Sequence, residues 1–225
     1  VTPLVTTTYY VRAEGDCNTT TCQQVTVTIS CDIDKDDDGI PDFVESNIPA
    51  AFLDVPANGI INAYDTLTPG FVDNNGDHVN DLDPTFPGRV DSNGDLVDDR
   101  FDLDLDGKIN MLDLDSDNDG VPDVVEAYGV DTDGDGKIDS YTDTDGDGLS
   151  QNVDVNATGA NNSGTGLGVP NLDGDAIYNF LDIDSDNDGI TDTREAGFPD
   201  IDSNGFTDGV KGADGWDNTI DALVT

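Results

Sequence analysis

Three twelve-residue segments carry oxygen-bearing side chains in one order: DKDDDGIPDFVE (Asp34 to Glu45), DSDNDGVPDVVE (Asp115 to Glu126) and DSDNDGITDTRE (Asp184 to Glu195). Positions 1, 3, 5 and 9 are aspartates: Asp34, Asp36, Asp38 and Asp42, then Asp115, Asp117, Asp119 and Asp123, then Asp184, Asp186, Asp188 and Asp192. Position 6 is glycine and position 12 is glutamate (Glu45, Glu126, Glu195), while Ile40, Val121 and Ile190 at position 7 offer a backbone carbonyl. Alternating oxygens on a curling backbone, a glycine for the sharp turn and a closing bidentate glutamate make the ligand order of a calcium loop. The chain has four glutamates, and three of them close such loops.

Looser copies fill the intervals. One comprises Asp73, Asn75, Asp77 and Asp81 with the carbonyl of Val79, and a second Asp91, Asn93, Asp95, Asp99 and Asp102 with Val97. A third follows without a gap (Asp102, Asp104, Asp106, Asn110 and Asp113 with Lys108), so Asp102 can serve two ions. Next come Asp131, Asp133, Asp135 and Asp139 with Lys137, then Asp143, Asp145, Asp147 and Asp154 with Leu149. The last are Asp173, Asp175, Asn179 and Asp182 with Ile177, and Asp200, Asp202, Asn204 and Asp208 with Phe206. The total is about ten candidate sites. His78, Leu96 and Ala176 replace glycine at position 6, where Gly76 and Gly94 at position 4 offer another turn, and Lys211 stands where the last loop would close. Asp54 to Asp65 is a degenerate copy, with Pro56 at a ligand position.

The elements that must hold these loops are sparse. Residues 103–139 recur at 172–208 with one fixed offset, and the spacer between the first and second Glu-closed loops is longer than that between the second and third. Such periods signify an array of like units, here 32–101, 102–170 and 171–225. EF-hands need a helix on each side, but the stretch before Asp34 is strand-like and Pro41 and Pro122 sit at loop position 8. One or two helical turns fit after each loop before Gly129 or Gly197 stops them. The expected fold is therefore mostly irregular, with short helices and a thin core filled by apolar residues at position 7. Residues 1–31 differ: VTTTYYVRAEG and QQVTVTIS alternate with period two around CNTTTC and read as a β-hairpin. Because Val1 opens inside a strand-like stretch, the chain reads as a piece of a longer one whose export signal lies elsewhere. A Cys17–Cys22 disulfide and its rival Cys22–Cys31 both leave an odd thiol.

Charge narrows the function. Fifty acidic residues against eight basic ones give a net charge of −42. The basic residues are scattered singly, which excludes nucleic acid, and no apolar run is long enough to span a membrane. Crowded carboxylates hold a cation-free chain open, so ion binding and folding are expected to be coupled. Weak calcium loops suit millimolar calcium outside cells. No nucleophile elbow, zinc spacing or phosphate loop appears, and GTGLG (Gly164 to Gly168) precedes Pro170 rather than a helix, so no enzyme is expected. His78 reads as a turn residue and Trp216 as a core anchor rather than a contact surface. Asn18, Asn156 and Asn161 lie in N-x-S/T sequons.

The loops of residues 32–210 resemble thrombospondin type 3 repeats and the DxDxDGxxDxxE arrays of large secreted adhesins of gliding Bacteroidetes. Residues 1–31 resemble the last strands of an immunoglobulin-like domain. The resemblance implies a chain wrapped round a row of calcium ions at the cell surface, and Asp65-Thr66-Leu67 is similar to the O-glycosylation motif of exported Bacteroidetes proteins. The expected role is a calcium-rigidified stalk or spacer in adhesion, whose partners are calcium ions and neighbouring domains or identical subunits. Two alternatives stand beside it: a filament subunit completed by strand exchange, and a calcium-dependent module binding surface glycans. A dockerin-like module would need real helices after two loops.

Overall fold

The computed structural model describes residues 7–11, 14–15, 18–19, 23–27, 32–46, 72, 91–95, 97–155 and 165–221, the strand residues by backbone alone. The loop of Asp73, Asn75, Asp77, Val79 and Asp81, the copy at 54–65, the three cysteines, Thr66, His78, Leu96, Asn156 and Asn161 lie outside the described residues. Strand β1 (Thr7–Val11) pairs antiparallel with β4 (Gln23–Val27), Thr7 opposite Val27 and Val11 opposite Gln23. Inside that pair β2 (Glu14–Gly15) meets β3 (Asn18–Thr19). The alternating β-branched and aromatic segments thus form the expected hairpin.

Beyond it, the described residues hold little regular secondary structure. Three one-turn helices, α1 (Asp42–Glu45), α2 (Asp123–Glu126) and α3 (Asp192–Glu195), each follow a Glu-closed loop's turn. Pro41 and Pro122 precede the first two in extended conformation, where a missing N–H costs nothing and a fixed φ starts the helix. Four residues are too few to stand alone. Asn110–Leu112 and Asn179–Leu181 form 3-10 turns that pack against α1 and α2 respectively, and Asn110 Nδ2 donates to the Glu45 carbonyl at 3.2 Å. Gly197 (φ +84°) stops α3 as anticipated, but Tyr128 (φ +61°) rather than Gly129 takes the left-handed turn after α2.

Looser loops dock on the Glu-closed ones by matching backbone bonds. The Ile138 N–H donates to the Asp37 carbonyl at 3.0 Å, and at the equivalent place one unit later the Thr207 N–H donates to the Asn118 carbonyl at 2.9 Å. Each acceptor is position 4 of a Glu-closed loop and each donor position 8 of a looser one. Ile33 N–H to Asp147 and Leu167 N–H to Gly39 fasten the first junction further, and Leu114 N–H to Asp214 the second. Three of the eight cations clamp the same places: Lys137 Nζ on the Asp36 carbonyl, Lys108 Nζ on that of Ala213, and Lys211 Nζ on Asn118 Oδ1.

The core is thin, as the sequence implies. One cluster joins Ile33, Phe101, Ile109, Met111 and Leu149, and another Ile40, Ala127, Phe180 and Leu181. Position 7 supplies Ile40 and Leu149 to these, but Ile177 and Ile190 are exposed. The expectation that position 7 fills the core holds at Ile40 and Leu149, with Val97 packed against the first cluster, but Val121 and Phe206 are only half-buried and it fails at Ile177 and Ile190. Trp216 is buried, its Nε1–H donating to the Gly120 carbonyl at 3.1 Å. It is a core anchor.

Candidate metal centres

One hydrogen-bond pattern recurs in each Glu-closed loop. The position-6 N–H donates to the position-1 carboxylate: Gly39 to Asp34 Oδ2 at 3.1 Å, Gly120 to Asp115 Oδ2 at 3.1 Å, Gly189 to Asp184 Oδ2 at 3.0 Å. Position 5 donates to position 3 (Asp38 to Asp36, Asp119 to Asp117, Asp188 to Asp186), and position 7 to position 5 Oδ1 (Ile40 to Asp38 at 2.6 Å, Val121 to Asp119 at 2.7 Å, Ile190 to Asp188 at 2.9 Å). Asp37, Asn118 and Asn187 at position 4 adopt positive φ, as do the position-6 glycines. Side chains that tolerate this region are therefore needed between the ligands.

The pattern occupies one oxygen of a carboxylate and leaves the other without a donor. Asp34 Oδ1, Asp36 Oδ2, Asp38 Oδ2 and both oxygens of Glu45 are buried with no hydrogen-bond partner, as are Asp117 Oδ2, Asp119 Oδ2 and Glu126 Oε2. Orphaned buried oxygens are costly, and a single cation can satisfy several together. The ligand oxygens of Asp34, Asp36 and Asp38 lie within 4.8 Å of one another, as do those of Asp115, Asp117 and Asp119, and of Asp102, Asp104 and Asp106. These acidic clusters can hold metal ions.

Position 9 has a second role. Asp42, Asp123 and Asp192 accept the position-2 N–H of their own loops (from Lys35 at 3.0 Å, Ser116 at 2.9 Å, Ser185 at 3.1 Å). The carboxylate latches the loop, and Asn110 and Asn179 do the same for Leu103 and Leu172. Two of these latches also face another loop. Asp123 groups with Asp38 and Glu45 of the first loop, and Asp192 with Asp119 and Glu126 of the second, ligand oxygens again within 4.8 Å.

The looser loops share the scaffold. Asp91 accepts from the Gly94 N–H, Asn93 from Asp95, Asp95 from Val97 and Asp99 from Ser92. The loop lies against its neighbour through Asn93 Nδ2 donating to the Leu105 carbonyl at 2.9 Å. In that neighbour Asp102 accepts from Gly107, Asp104 from Asp106 and Asp106 from Lys108, and Asp102 Oδ1 and Asp104 Oδ2 are orphaned. Asp113 instead accepts from the Asp115 N–H. Gly136 donates to Asp131, Lys137 to Asp135 and Thr132 to Asp139, whereas Asp133 is exposed. Gly148 donates to Asp143 and Leu149 to Asp147, and Asp145 has both oxygens orphaned, while Asp154 is buried. Asp175 and Ile177 donate to Asp173 and Asp175, and Asp182 accepts from Asp184. Gly205, Asn204 and Phe206 donate to Asp200, Asp202 and Asn204, and Ile201 to Asp208.

The structure adds one member that the ligand spacing did not reveal. Asn171 Oδ1 accepts the Gly174 N–H at 2.6 Å, as Asp131 and Asp143 accept from Gly134 and Gly146. It occupies position 1 of its loop. The fixed repeat offset carries Asp102 onto Asn171, a signal that the change from aspartate to asparagine conceals.

Burial differs sharply among equal motifs. Glu45 is 0% exposed and Glu126 9%, whereas Glu195, Asp186 and Asp188 are exposed. Desolvation, the leading cause, and like-charged neighbours push Asp34, Asp36, Glu45, Asp115, Asp117, Asp123 and Glu126 well above the usual carboxylate range. Burial raises Asp38 and Asp119 to about 7 and Asp102 to about 6; with Asp106 close by, it raises Asp104 to about 8. A cation held among these groups would offset that repulsion. Compared with protein-family models, curated proteins and solved structures, the chain finds no match in any of the three.

Proposed function

We propose that the chain is a non-enzymatic, calcium-stabilised repeat region of an exported protein, acting as a stiff spacer in adhesion at the cell surface. The observation that carries this reading is Glu45: wholly buried, both carboxylate oxygens without a hydrogen-bond donor, at the closing position of an all-oxygen loop. Carboxylates and carbonyls suit a hard cation, and a loop able to flex suits calcium better than magnesium, which demands near-ideal octahedral geometry. Calcium would neutralise each loop and let the units dock, so that stability sums over units and junctions. Thermal unfolding in millimolar calcium and in excess chelator tests it. A midpoint raised strongly by calcium is expected; an unchanged midpoint would reject the reading.

A filament subunit is the second reading, favoured by the hairpin. β1 and β4 pair only with each other among the described residues, and a two-stranded ladder offers its edges to another strand. Regular fibres in negative-stain images would support it, and a strictly monomeric species at high concentration would count against it.

A further inference from the structure

We propose that the Glu-closed loops share their ions in series, the position-9 aspartate of each later loop being a ligand for the ion of the loop before it. The inference rests on the calcium reading above and adds a direction to it. At the first junction Asp38, Glu45 and Asp123 bring ligand oxygens within 4.8 Å of one another, although Asp123 belongs to the next Glu-closed loop, where it is the counterpart of Asp42. At the second, Asp119, Glu126 and Asp192 repeat the arrangement one unit later. The same three positions meet both times, 5 and 12 of the earlier loop with 9 of the later one.

Proximity among acids is not enough, and the orphaned oxygens supply the rest. Glu45 and Asp38 are both 0% exposed, and Glu45 Oε1, Glu45 Oε2 and Asp38 Oδ2 have no hydrogen-bond partner. Asp119 Oδ2 and Glu126 Oε2 repeat that condition. Three ionised carboxyls converging in a buried space, with donors missing from two of them, repel one another until a cation stands between them. Asp123 is already oriented, since Ser116 N–H donates to its Oδ1 at 2.9 Å and Ser116 Oγ–H to its Oδ2 at 2.6 Å. Each oxygen keeps a second lone pair for an ion. Closing the later loop therefore finishes the earlier site, and ion uptake at the earlier site stabilises the later loop by the same coupling.

Asp123→Asn is the variant of choice, because Asn110 and Asn179 already show asparagine accepting the position-2 N–H at 3.1 and 3.0 Å. The latch survives and the charge does not. Calcium affinities would be measured by calorimetry for Asp123→Asn, Glu45→Gln, Glu126→Gln and the two doubles containing Asp123→Asn. Each single change is expected to weaken one site by about 10–100-fold. If Asp123 ligates the first loop's ion, its effect merges with that of Glu45→Gln, one weakened site in the double variant, and adds to that of Glu126→Gln, two weakened sites. The reverse pattern, or an unaltered Asp123→Asn, overturns the shared ligand. Should Asp123→Asn fail to fold in calcium, Asp192→Asn at the less buried second junction carries the same test, paired with Glu126→Gln. A wild-type chain that takes up no calcium would instead sink the calcium reading itself.

Discussion

Replacing Glu45 with glutamine should change the sign of its effect with calcium. In calcium the closing glutamate contributes through linkage. At about 10 mM calcium and a Kd of about 0.1 mM, a site adds RT ln(1 + [L]/Kd), about 2.7 kcal/mol. A hundredfold loss of affinity leaves about 0.4, so the variant loses about 2.3 kcal/mol. For a chain of this size that corresponds to about 5–9 °C in midpoint. Without calcium the same carboxylate is a buried like-charged group beside Asp34, Asp36 and Asp38, with no donor for either oxygen. Glutamine removes that repulsion, so in chelator the variant should be more compact or more stable than wild type. Glu195→Gln is the control. Its side chain is exposed, where water screens the charge, and less than half the loss is expected in calcium with no gain in chelator. Paired unfolding curves followed by Trp216 emission would read both arms. Destabilisation by Glu45→Gln in chelator, or equal losses at Glu45 and Glu195 in calcium, would refute the reasoning.

Acid should act oppositely with and without calcium. Asp38 and Asp119 are raised to about 7 and Asp104 to about 8; their contribution to folding is complete below about pH 4 and lost as pH climbs through about 6–8. Calcium-free protein taken from about pH 8 to about pH 5 should therefore contract in small-angle scattering, while calcium-loaded protein releases ions as protons compete for the same oxygens; expansion of the calcium-free chain on acidification would contradict this. Two glycines separate strain from packing. Gly146 and Gly120 both have positive φ (+82° and +96°), but an alanine Cβ at 146 meets nothing within 4 Å, whereas at 120 it lies 2.8 Å from Phe198 and Thr207. Gly146→Ala should cost about 1–2 kcal/mol and Gly120→Ala a further 1–3 kcal/mol or so, and equal losses in urea titration would show that the junction does not press on that turn.

What is legible in the sequence follows from the range of the forces. Ligand order is local, so the spacing of Asp34, Asp36, Asp38 and Glu45 already describes a loop whose backbone the hydrogen bonds then confirm. The hairpin was equally plain from period-two alternation. Docking is another matter. Nothing near Asp123 says that it faces Glu45, and identical motifs hide the contrast between buried Glu45 and exposed Glu195, because burial is decided by what lies on top. Lys137 offers a position-7 carbonyl and Lys211 stands where a loop would close, but nothing in that spacing discloses that their ammonium groups grip neighbouring loops. Asn171 lacks the charge that marks its fellows, although the repeat offset points to it.

The inner bonding of these loops also bears on how the protein ages. Aspartate cyclises most readily when glycine follows it: the glycine nitrogen attacks the aspartate carboxyl, water leaves, and hydrolysis of the succinimide so formed leaves an isomerised backbone. Six described loops carry that pair at positions 5 and 6, from Asp38–Gly39 to Asp188–Gly189. In each, the glycine N–H is committed to the position-1 carboxylate, and the aspartate Oδ1 to the position-7 N–H. Nucleophile and carboxyl are turned to different partners, so the closed loop guards its own weakest covalent link. A chain whose loops stay open for long spells would accumulate isoaspartate at these six sites, and each lesion would lengthen the backbone at the point where the loop must turn most sharply.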